Sequence, residues 1–295
     1  LVENWEVGAI FEKPVQRSRG KSLPRLDDEL RRRWRLGIRP GLERIRAVFA
    51  ALGPGAGATR ALIAGTNGKG STSTFLDAIL RAHGVRTGLF TSPHLVFAAE
   101  RIRLDGVPVD DAHLAPGMAA VAAAEAAAGV TLTGFEWITA VAAAIFDRAA
   151  PECWILEVGL GGRLDATNAW EPDLSIITPI GLDHTALLGD DLGSIATEKA
   201  GILRGGRPAI LAAQAPAAGA ALEAAADRIG AGPVLRDGHD WRWTLSGGRL
   251  RWEASDGLVV GPVFPGLAGL HQGGNAATAL AAAVIPGVER LASLG

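Results

Sequence analysis

Short apolar runs alternate along the chain with longer amphipathic stretches. Residues 61–64 (Ala-Leu-Ile-Ala) predict a buried strand, and residues 74–80 have the spacing of a helix that packs on one face. This alternation recurs, which predicts an α/β fold with a mostly parallel sheet flanked by helices. The other predicted strands are 84–90, 154–160, 174–180, 208–212 and 233–235, and the other predicted helices are 26–35, 41–52, 110–128, 135–149, 192–203 and 216–229.

Two segments instead alternate polar and apolar residues at single-residue spacing. Residues 100–109 do so around an Asp-Gly pair, which is typical of a β-hairpin. Residues 240–245 and 249–254 do so around Ser-Gly-Gly and predict a small antiparallel hairpin that carries three tryptophans. Because a base-stacking platform would come with basic flanks, we interpret these tryptophans as packing side chains. They are Trp241, Trp243 and Trp252.

Composition narrows the class of protein. A length of 295 residues suits one large α/β domain or two smaller ones. A net charge of −2 gives no sign of a nucleic-acid or membrane surface, and no apolar stretch reaches transmembrane length. The single cysteine, Cys153, excludes an internal disulfide. We therefore expect a cytoplasmic monomer without nucleic-acid or membrane partners.

The glycine-rich turn after the strand 61–64 predicts a site for a nucleoside triphosphate. It has the form Gly-x-x-Gly-Lys-Gly-Ser over residues 65–71. Glycines let backbone N–H groups approach phosphate oxygens, the helix start attracts anions, and Lys69 supplies a positive charge. The alternative is an ordinary turn with a solvated lysine. Gly70 stands where a P-loop usually has the hydroxyl that binds Mg²⁺, so we expect metal ligands from elsewhere.

Three polar residues at predicted strand ends are candidates for those ligands. Glu157 lies within a buried run, where an unpaired carboxylate is costly. It needs either a proton or a cation, and the cation is Mg²⁺ or an arginine. Ser92 and His184 follow two other strands, and the carboxyl ends of parallel strands meet at one edge of a sheet. Alternatively, Ser92 caps a turn and His184 is a hydrogen-bonded structural residue.

Other polar residues leave their roles open. Glu136 lies among apolar neighbours, next to Phe135, which is more typical of a core. Lys199 is either a surface lysine, a partner of the metal-site carboxylate, or an amine that takes up CO₂. Asp165 binds a ligand or shapes a turn. Asn275, near the start of an alanine-rich helix, is a helix cap or an adenine contact.

Seven segments, in order over residues 40–280, together resemble the folylpolyglutamate synthase and dihydrofolate synthase family, relatives of the Mur ligases. The thirteen residues 156–168 are the most specific of them. The segments are Pro40–Ile45, Gly65–Ser71, Thr91–Leu95, Leu156–Asn168, Leu182–Thr185, Glu198–Ile202, and His271-Gln272 with Asn275.

The resemblance implies an ATP-dependent ligase of the Mur central-domain type, with a P-loop. Such an enzyme joins L-glutamate to dihydropteroate or to a reduced folate such as tetrahydrofolate. The chemistry implied is phosphoryl transfer from ATP to the acceptor carboxylate, with Mg²⁺, followed by attack of the glutamate amine on the acyl phosphate.

The resemblance also implies roles for single residues. Those that bind the nucleotide are Thr66, Asn67, Gly68, Lys69, Gly70, Ser71 and Asn275. The metal ligands are Ser92, Glu157 and His184, and the residues with a catalytic role are Lys69, Glu157, His184 and Lys199, the last as a carbamate. The pterin site consists of Thr133, Phe135, Glu136, Leu164, Asp165 and Ala166.

The chain differs from the family pattern at its C-terminal end. Members continue into a C-terminal domain of Rossmann type, and we expect this chain to be a fragment that stops before it. We expect a lead-in and helix over residues 1–39 and the ATP-binding ligase domain over residues 40–295. Two alternatives remain: a nucleotide-binding module that is inactive without the further domain, and a Mur-type peptidoglycan ligase.

Overall fold

A computed structural model describes the chain over residues 24–53, 57–183 and 189–284. The part of the predicted lead-in over residues 1–23 and the predicted ligand His184 lie outside the described residues. The helices are α1 (Pro24–Trp34), α2 (Glu43–Leu52), α3 (Lys69–Ala82), α4 (Asp111–Ala128), α5 (Gly134–Ala149), α6 (Leu192–Ala200), α7 (Pro216–Ile229) and α8 (Leu270–Val284).

Eight strands form one mixed sheet and three form a second, antiparallel sheet. The first holds β1 (Thr59–Ala64), β2 (Thr87–Phe90), β3 (Ile102–Leu104), β4 (Val107–Pro108), β5 (Cys153–Glu157), β6 (Leu174–Ile177), β7 (Ala209–Leu211) and β8 (Val234–Arg236). The second holds β9 (Trp241–Ser246), β10 (Arg249–Ala254) and β11 (Val259–Val263).

The eight strands lie in the order β4-β3-β2-β5-β1-β6-β7-β8, and pairing is parallel from β2 through β8. Only β3 and β4 at one edge pair antiparallel, as the Asp-Gly hairpin predicts. The predicted α/β class with a mostly parallel sheet and a small antiparallel region is confirmed. Strand β1 is central, so the turn that follows it lies between the loops that follow β5 and β6.

Apolar side chains cover both faces of this sheet. One core cluster contains buried residues of α1, α2, α4 and α5, and the other contains residues of α3, α8 and the three-stranded sheet. Trp241 and Trp252 are fully buried in the second cluster, and Trp243 packs against it. The interpretation of the three tryptophans as packing side chains is confirmed.

Several element ends differ from the prediction. Strand β5 ends at Glu157, so this carboxylate lies at the carboxyl end of the strand rather than in its middle. Helix α3 begins at Lys69 rather than residue 74, because the glycine-rich turn leads directly into it. Asn275 lies in the second turn of α8, so its prediction as a cap near the helix start is wrong. Strand β11 was not predicted, since its Gly261-Pro262 pair interrupts the apolar pattern.

Candidate active site

The glycine-rich turn passes into α3 through Gly68, which has a left-handed backbone with φ +83°. A Cβ at this position would lie 2.2 Å from Oδ1 of Asn275, so both the conformation and the close approach require glycine. Asn275 is buried, and its Nδ2 donates to Oε1 of Gln272 at 3.0 Å. Helix α8 therefore holds the Asn275 amide against the turn.

The predicted phosphate-binding residues also contact the loop that follows β6. The backbone N–H groups of Thr66 and Asn67 donate to the carbonyl oxygen of Pro179, each at 3.1 Å. The Thr66 hydroxyl donates to the carbonyl oxygen of Gly181 at 3.0 Å. These bonds bring the turn after β1 and the loop after β6 together, as expected for neighbouring parallel strands.

Two lysines approach the start of this turn. Nζ of Lys69 donates to the carbonyl oxygens of Gly65 and Thr66 at 3.1 and 3.3 Å. Nζ of Lys199 donates to the same Gly65 oxygen at 2.8 Å. Lys199 is only 3% exposed, so its interpretation as a surface lysine is wrong. Burial, with the charge of Lys69 as the next cause, lowers the pKa of Lys199 to about 8.

Glu157 is buried, with 3% of the residue exposed, and its Oε2 accepts the backbone N–H of Ser92 at 2.8 Å. Burial raises the pKa of Glu157 to about 7, although the Ser92 bond and the charges of Lys69 and Arg101 oppose the shift. Among the described residues, no lysine or arginine nitrogen lies within 4.0 Å of this carboxylate. The alternative of a direct arginine pair is therefore not seen.

The oxygen atoms at and near Glu157 are of the types that ligate Mg²⁺. Over the described residues, Glu157 Oε1 accepts no hydrogen bond, and the carboxylate lies next to Ser92, which carries a hydroxyl. Carboxylate and hydroxyl oxygens are the hard ligands that Mg²⁺ prefers. Where the structure describes the chain, no three residues of the types His, Cys, Asp and Glu cluster as a metal site. A site here would therefore need the serine oxygen, further ligands or water.

A cavity of about 540 Å³ opens beside these groups. Lys69 and Ser92 form part of its wall, and Gly159 lets the Phe135 ring approach closely, since a Cβ there would lie 2.4 Å from that ring. All six residues predicted for the pterin site line the cavity. They are Thr133, Phe135, Glu136, Leu164, Asp165 and Ala166.

The two carboxylates of this predicted set bond to the protein itself. Glu136 Oε2 accepts from the backbone N–H and the hydroxyl of Thr133, both at 2.8 Å, and its Oε1 accepts from Arg44 at 2.8 Å. Asp165 accepts the backbone N–H groups of Gly159, Leu160 and Thr167. Asp165 therefore shapes this turn, which is one of its two predicted roles, and its binding of a ligand stays a prediction.

Sequence reasoning missed two cationic residues of this region. Arg44 pairs with Glu136, and Arg101 is 5% exposed and lines the cavity. Arg101 stands in the alternating hairpin segment, where an arginine is typical of a solvated face. The buried Glu136 beside the cavity was the one signal that a cation should lie near.

No helix in the described ranges 24–53, 57–183 and 189–284 has the length and apolar character needed to cross a bilayer.

Comparison with known proteins identifies relatives. No protein-family model matches the chain. The Escherichia coli (strain K12) protein "dihydrofolate synthase/folylpolyglutamate synthase" is 40% identical over 252 residues, which are 84% of this chain and 57% of that protein. This chain thus spans a little over half the length of that relative.

Solved structures of the same kind superpose on the chain. A bifunctional folylpolyglutamate synthase/dihydrofolate synthase with Mn, AMPPNP and L-glutamate bound gives a TM-score of 0.76 at 35% identity, covering 91% of this chain and 64% of that one. An FPGS-AMPPCP complex gives 0.79 at 32% identity, covering 92% of this chain and 67% of that one. The chain therefore belongs to the folylpolyglutamate synthase/dihydrofolate synthase family.

Proposed function

We propose that this chain carries the ATP-binding part of a ligase that adds L-glutamate to dihydropteroate, to a reduced folate such as tetrahydrofolate, or to both, with Mg²⁺ as its metal. The observation that carries the proposal is the cavity of about 540 Å³, whose wall contains Lys69 and Ser92 as well as Phe135 and Leu164. Nucleotide-side and acceptor-side groups thus share one space, as transfer between two bound substrates requires.

The nucleotide side of the proposal rests on the turn after β1. Residues 66–71 and Asn275 would bind ATP, with the start of α3 facing the phosphates. Lys69 now donates to two backbone carbonyls of its own turn, and it would turn to the phosphate oxygens when they are present. Glu157, Ser92 and the predicted third ligand His184 would hold the metal.

The acceptor side rests on other residues of the cavity wall. The half-buried Phe135 ring and the Leu164 side chain offer apolar surface to a pterin, and the Thr133 and Ala166 positions close the wall. Glu136 supports this wall through its bonds to Thr133 and Arg44. We propose it as a residue that shapes the pterin site through these bonds.

The proposed reaction has two steps. The acceptor carboxylate oxygen attacks the γ-phosphorus of ATP, and the bond to the β-phosphate oxygen breaks, which gives an acyl phosphate and ADP. The glutamate amine then attacks the acyl carbon, phosphate leaves, and the amine loses a proton. When bound, ATP supplies the phosphoryl group, and Mg²⁺ supplies most of the positive charge that balances the negative charge of the phosphates.

Lys69 and Lys199 would do different work in this reaction. Lys69 would neutralise charge on the transferring phosphoryl group. Lys199 has an amine whose pKa is about 8, and the neutral amine is the form that adds to CO₂. We propose that its carbamate is an anionic ligand of the metal. This agrees with the family resemblance of its Glu-Lys-Ala-Gly-Ile segment.

The test is release of inorganic phosphate from ATP, in the presence of Mg²⁺ and L-glutamate, by this chain together with the C-terminal domain with which we propose that it acts. We expect release that requires both glutamate and a pteroate acceptor, with dihydropteroate and tetrahydrofolate assayed separately, and we expect Lys69→Met to abolish it. ATP binding without acceptor-dependent release would instead favour a nucleotide-binding module. Activity only with a nucleotide-sugar acceptor would favour a Mur-type ligase, which the relatives do not support.

The wider expectations stay part of this proposal. They comprise a ligase domain over residues 40–295 that acts with a C-terminal domain of Rossmann type, a monomeric state, and location in the cytoplasm, where ATP is supplied. Light scattering of the purified chain would test the monomer, and limited proteolysis would test the domain boundary.

A further inference from the structure

Arg101 lies in the cavity wall as a buried cation. It is 5% exposed and lines the cavity together with Lys69 and Ser92. Its Nε donates to Nδ1 of His94 at 2.9 Å, and its guanidinium carbon lies 5.9 Å from the centre of the Trp34 ring. In the part of the chain that the structure describes, Nε makes the one hydrogen bond seen for this side chain, and none is seen for its two terminal nitrogens, Nη1 and Nη2.

Other arginines with little exposure are paired with carboxylates. Arg33 donates to both carboxylate oxygens of Glu125 at 2.6 and 2.7 Å, and Arg44 donates to Glu136 at 2.8 Å. Within the described residues, Arg101 has no carboxylate within 4.0 Å. A guanidinium is charged at every physiological pH, and an unpaired buried charge is costly. The fork of Arg101, which consists of its terminal nitrogens Nη1 and Nη2, is therefore suited to bind an anion.

The position of Arg101 limits which anion this can be. Arg101 acts electrostatically on Glu157, so it lies toward the predicted metal and phosphate end of the cavity. In the proposed function, the acceptor carboxylate must reach this same end to be phosphorylated. Phe135 lies in the wall of the same cavity and offers apolar surface to the pterin.

We propose that Arg101 binds the reacting carboxylate of the acceptor through Nη1 and Nη2 and aligns it for phosphorylation. This inference rests on the proposed function and adds the residue that selects for a carboxylate-bearing acceptor. The planar guanidinium matches a carboxylate through two parallel hydrogen bonds. Its contacts with His94 and Trp34 hold the guanidinium in place. Once the acyl phosphate forms, the same guanidinium faces an anion of greater charge.

The test compares binding of dihydropteroate with binding of its neutral carboxamide, without nucleotide, to the wild-type chain, Arg101→Met and Arg103→Met. Arg103 is a matched control, two residues along, which donates to the Glu100 carbonyl and does not line the cavity. We expect the wild type and Arg103→Met to prefer the carboxylate by about 10-fold or more, from the strength of charged hydrogen bonds. In Arg101→Met we expect the preference to fall below about 2-fold.

Arg101→Lys restores a charge without the fork, so we expect an intermediate preference. Far-UV circular dichroism shows whether each variant is folded, and Arg101→Lys carries the test if Arg101→Met does not fold. The inference is overturned if the Arg101 variants keep the wild-type preference, or if both ligands weaken equally. Failure of the wild type to bind either pteroate or ATP overturns the proposed function itself, a result that the comparison of variants keeps separate.

Discussion

Lys69 and Lys199 donate hydrogen bonds to one and the same acceptor, the carbonyl oxygen of Gly65, at Nζ to oxygen distances of 3.1 and 2.8 Å. Lys199 is buried and faces a like charge, so its pKa falls to about 8. Near neutral pH it therefore has a much larger share of neutral amine than an exposed lysine has.

This relationship predicts how stability depends on pH. The pKa of Lys199 is lowered in the folded chain from 10.5 to about 8, so the unfolded chain binds more protons between these values. The free energy of unfolding contributed by Lys199 therefore rises from pH 8 to pH 10.5, and it is lost as pH falls toward 8. Urea unfolding at pH 8 and pH 10 should show a smaller rise in Lys199→Met than in the wild type. Equal rises in the two proteins would contradict the burial argument.

The Glu157 carboxylate predicts a pH dependence of metal binding. Mg²⁺ binds the ionised carboxylate, and the pKa of Glu157 without metal is about 7. The apparent affinity for Mg²⁺ in the presence of ADP should therefore increase as pH rises through 7 and level off above it. Isothermal titration between pH 6 and pH 8 measures this.

Glu157→Gln should remove that dependence and weaken Mg²⁺ binding at every pH. The matched control is Glu171→Gln, since Glu171 is an exposed carboxylate that pairs with Arg204 away from the cavity. We expect the control to bind Mg²⁺ as the wild type does. A Glu157→Gln variant with wild-type affinity would place the metal elsewhere.

Gly68→Ala should block the nucleotide site. The left-handed conformation costs alanine about 1–2 kcal/mol, and the added Cβ would collide with Asn275. We expect the affinity for ATP to drop by about tenfold or more, since a turn that shifts no longer directs its N–H groups at the phosphates. Equilibrium binding of a fluorescent ATP analogue measures this change.

Gly129→Ala is the control for this substitution. Gly129 ends α4 with φ +65°, and nothing lies within 4 Å of an added Cβ. The variant should lose a similar amount of stability through strain but bind ATP normally. Equal loss of ATP binding in both variants would mean that stability, not turn geometry, sets the affinity.

Glu136→Gln separates helix capping from charge pairing in the acceptor site. Glutamine can keep the bonds to Thr133 but loses the ion pair with Arg44, which is mostly buried. We expect a loss of about 1–3 kcal/mol in stability, and weaker dihydropteroate binding because the wall around Thr133 loosens. ATP binding should stay unchanged. Titrations with both ligands, together with thermal melting, test this, and a selective loss of ATP binding would refute it.

The sheet could be predicted because its central strands are short apolar runs separated by amphipathic helices. Helix α7 was predicted with the bounds that it has. The predicted ends of β5 and α3 were less accurate, because Glu157 and Lys69 lie where a strand or helix meets a loop and the periodic apolar pattern stops. Strand β11 was not predicted because its glycine and proline interrupt the alternation of apolar residues. The strand is nevertheless formed by pairing with β10.

In the sequence, glutamates and glycines indicated the candidate site more clearly than arginines did. A buried glutamate, such as Glu157 or Glu136, is unusual in an apolar run and stands out in the sequence. Arginines are frequent on this chain's surface, so Arg44 and Arg101 could not be told from solvated residues until the fold set them against the cavity.

A crystal structure of the chain with AMPPNP, Mg²⁺ and dihydropteroate tests the central claim most directly. We expect the triphosphate on residues 66–71 with Lys69 beside it, the metal on Glu157 and Ser92, and the pterin against Phe135 with its carboxylate toward Arg101. A pterin outside this cavity, or a metal that contacts neither Glu157 nor Ser92, would contradict the account.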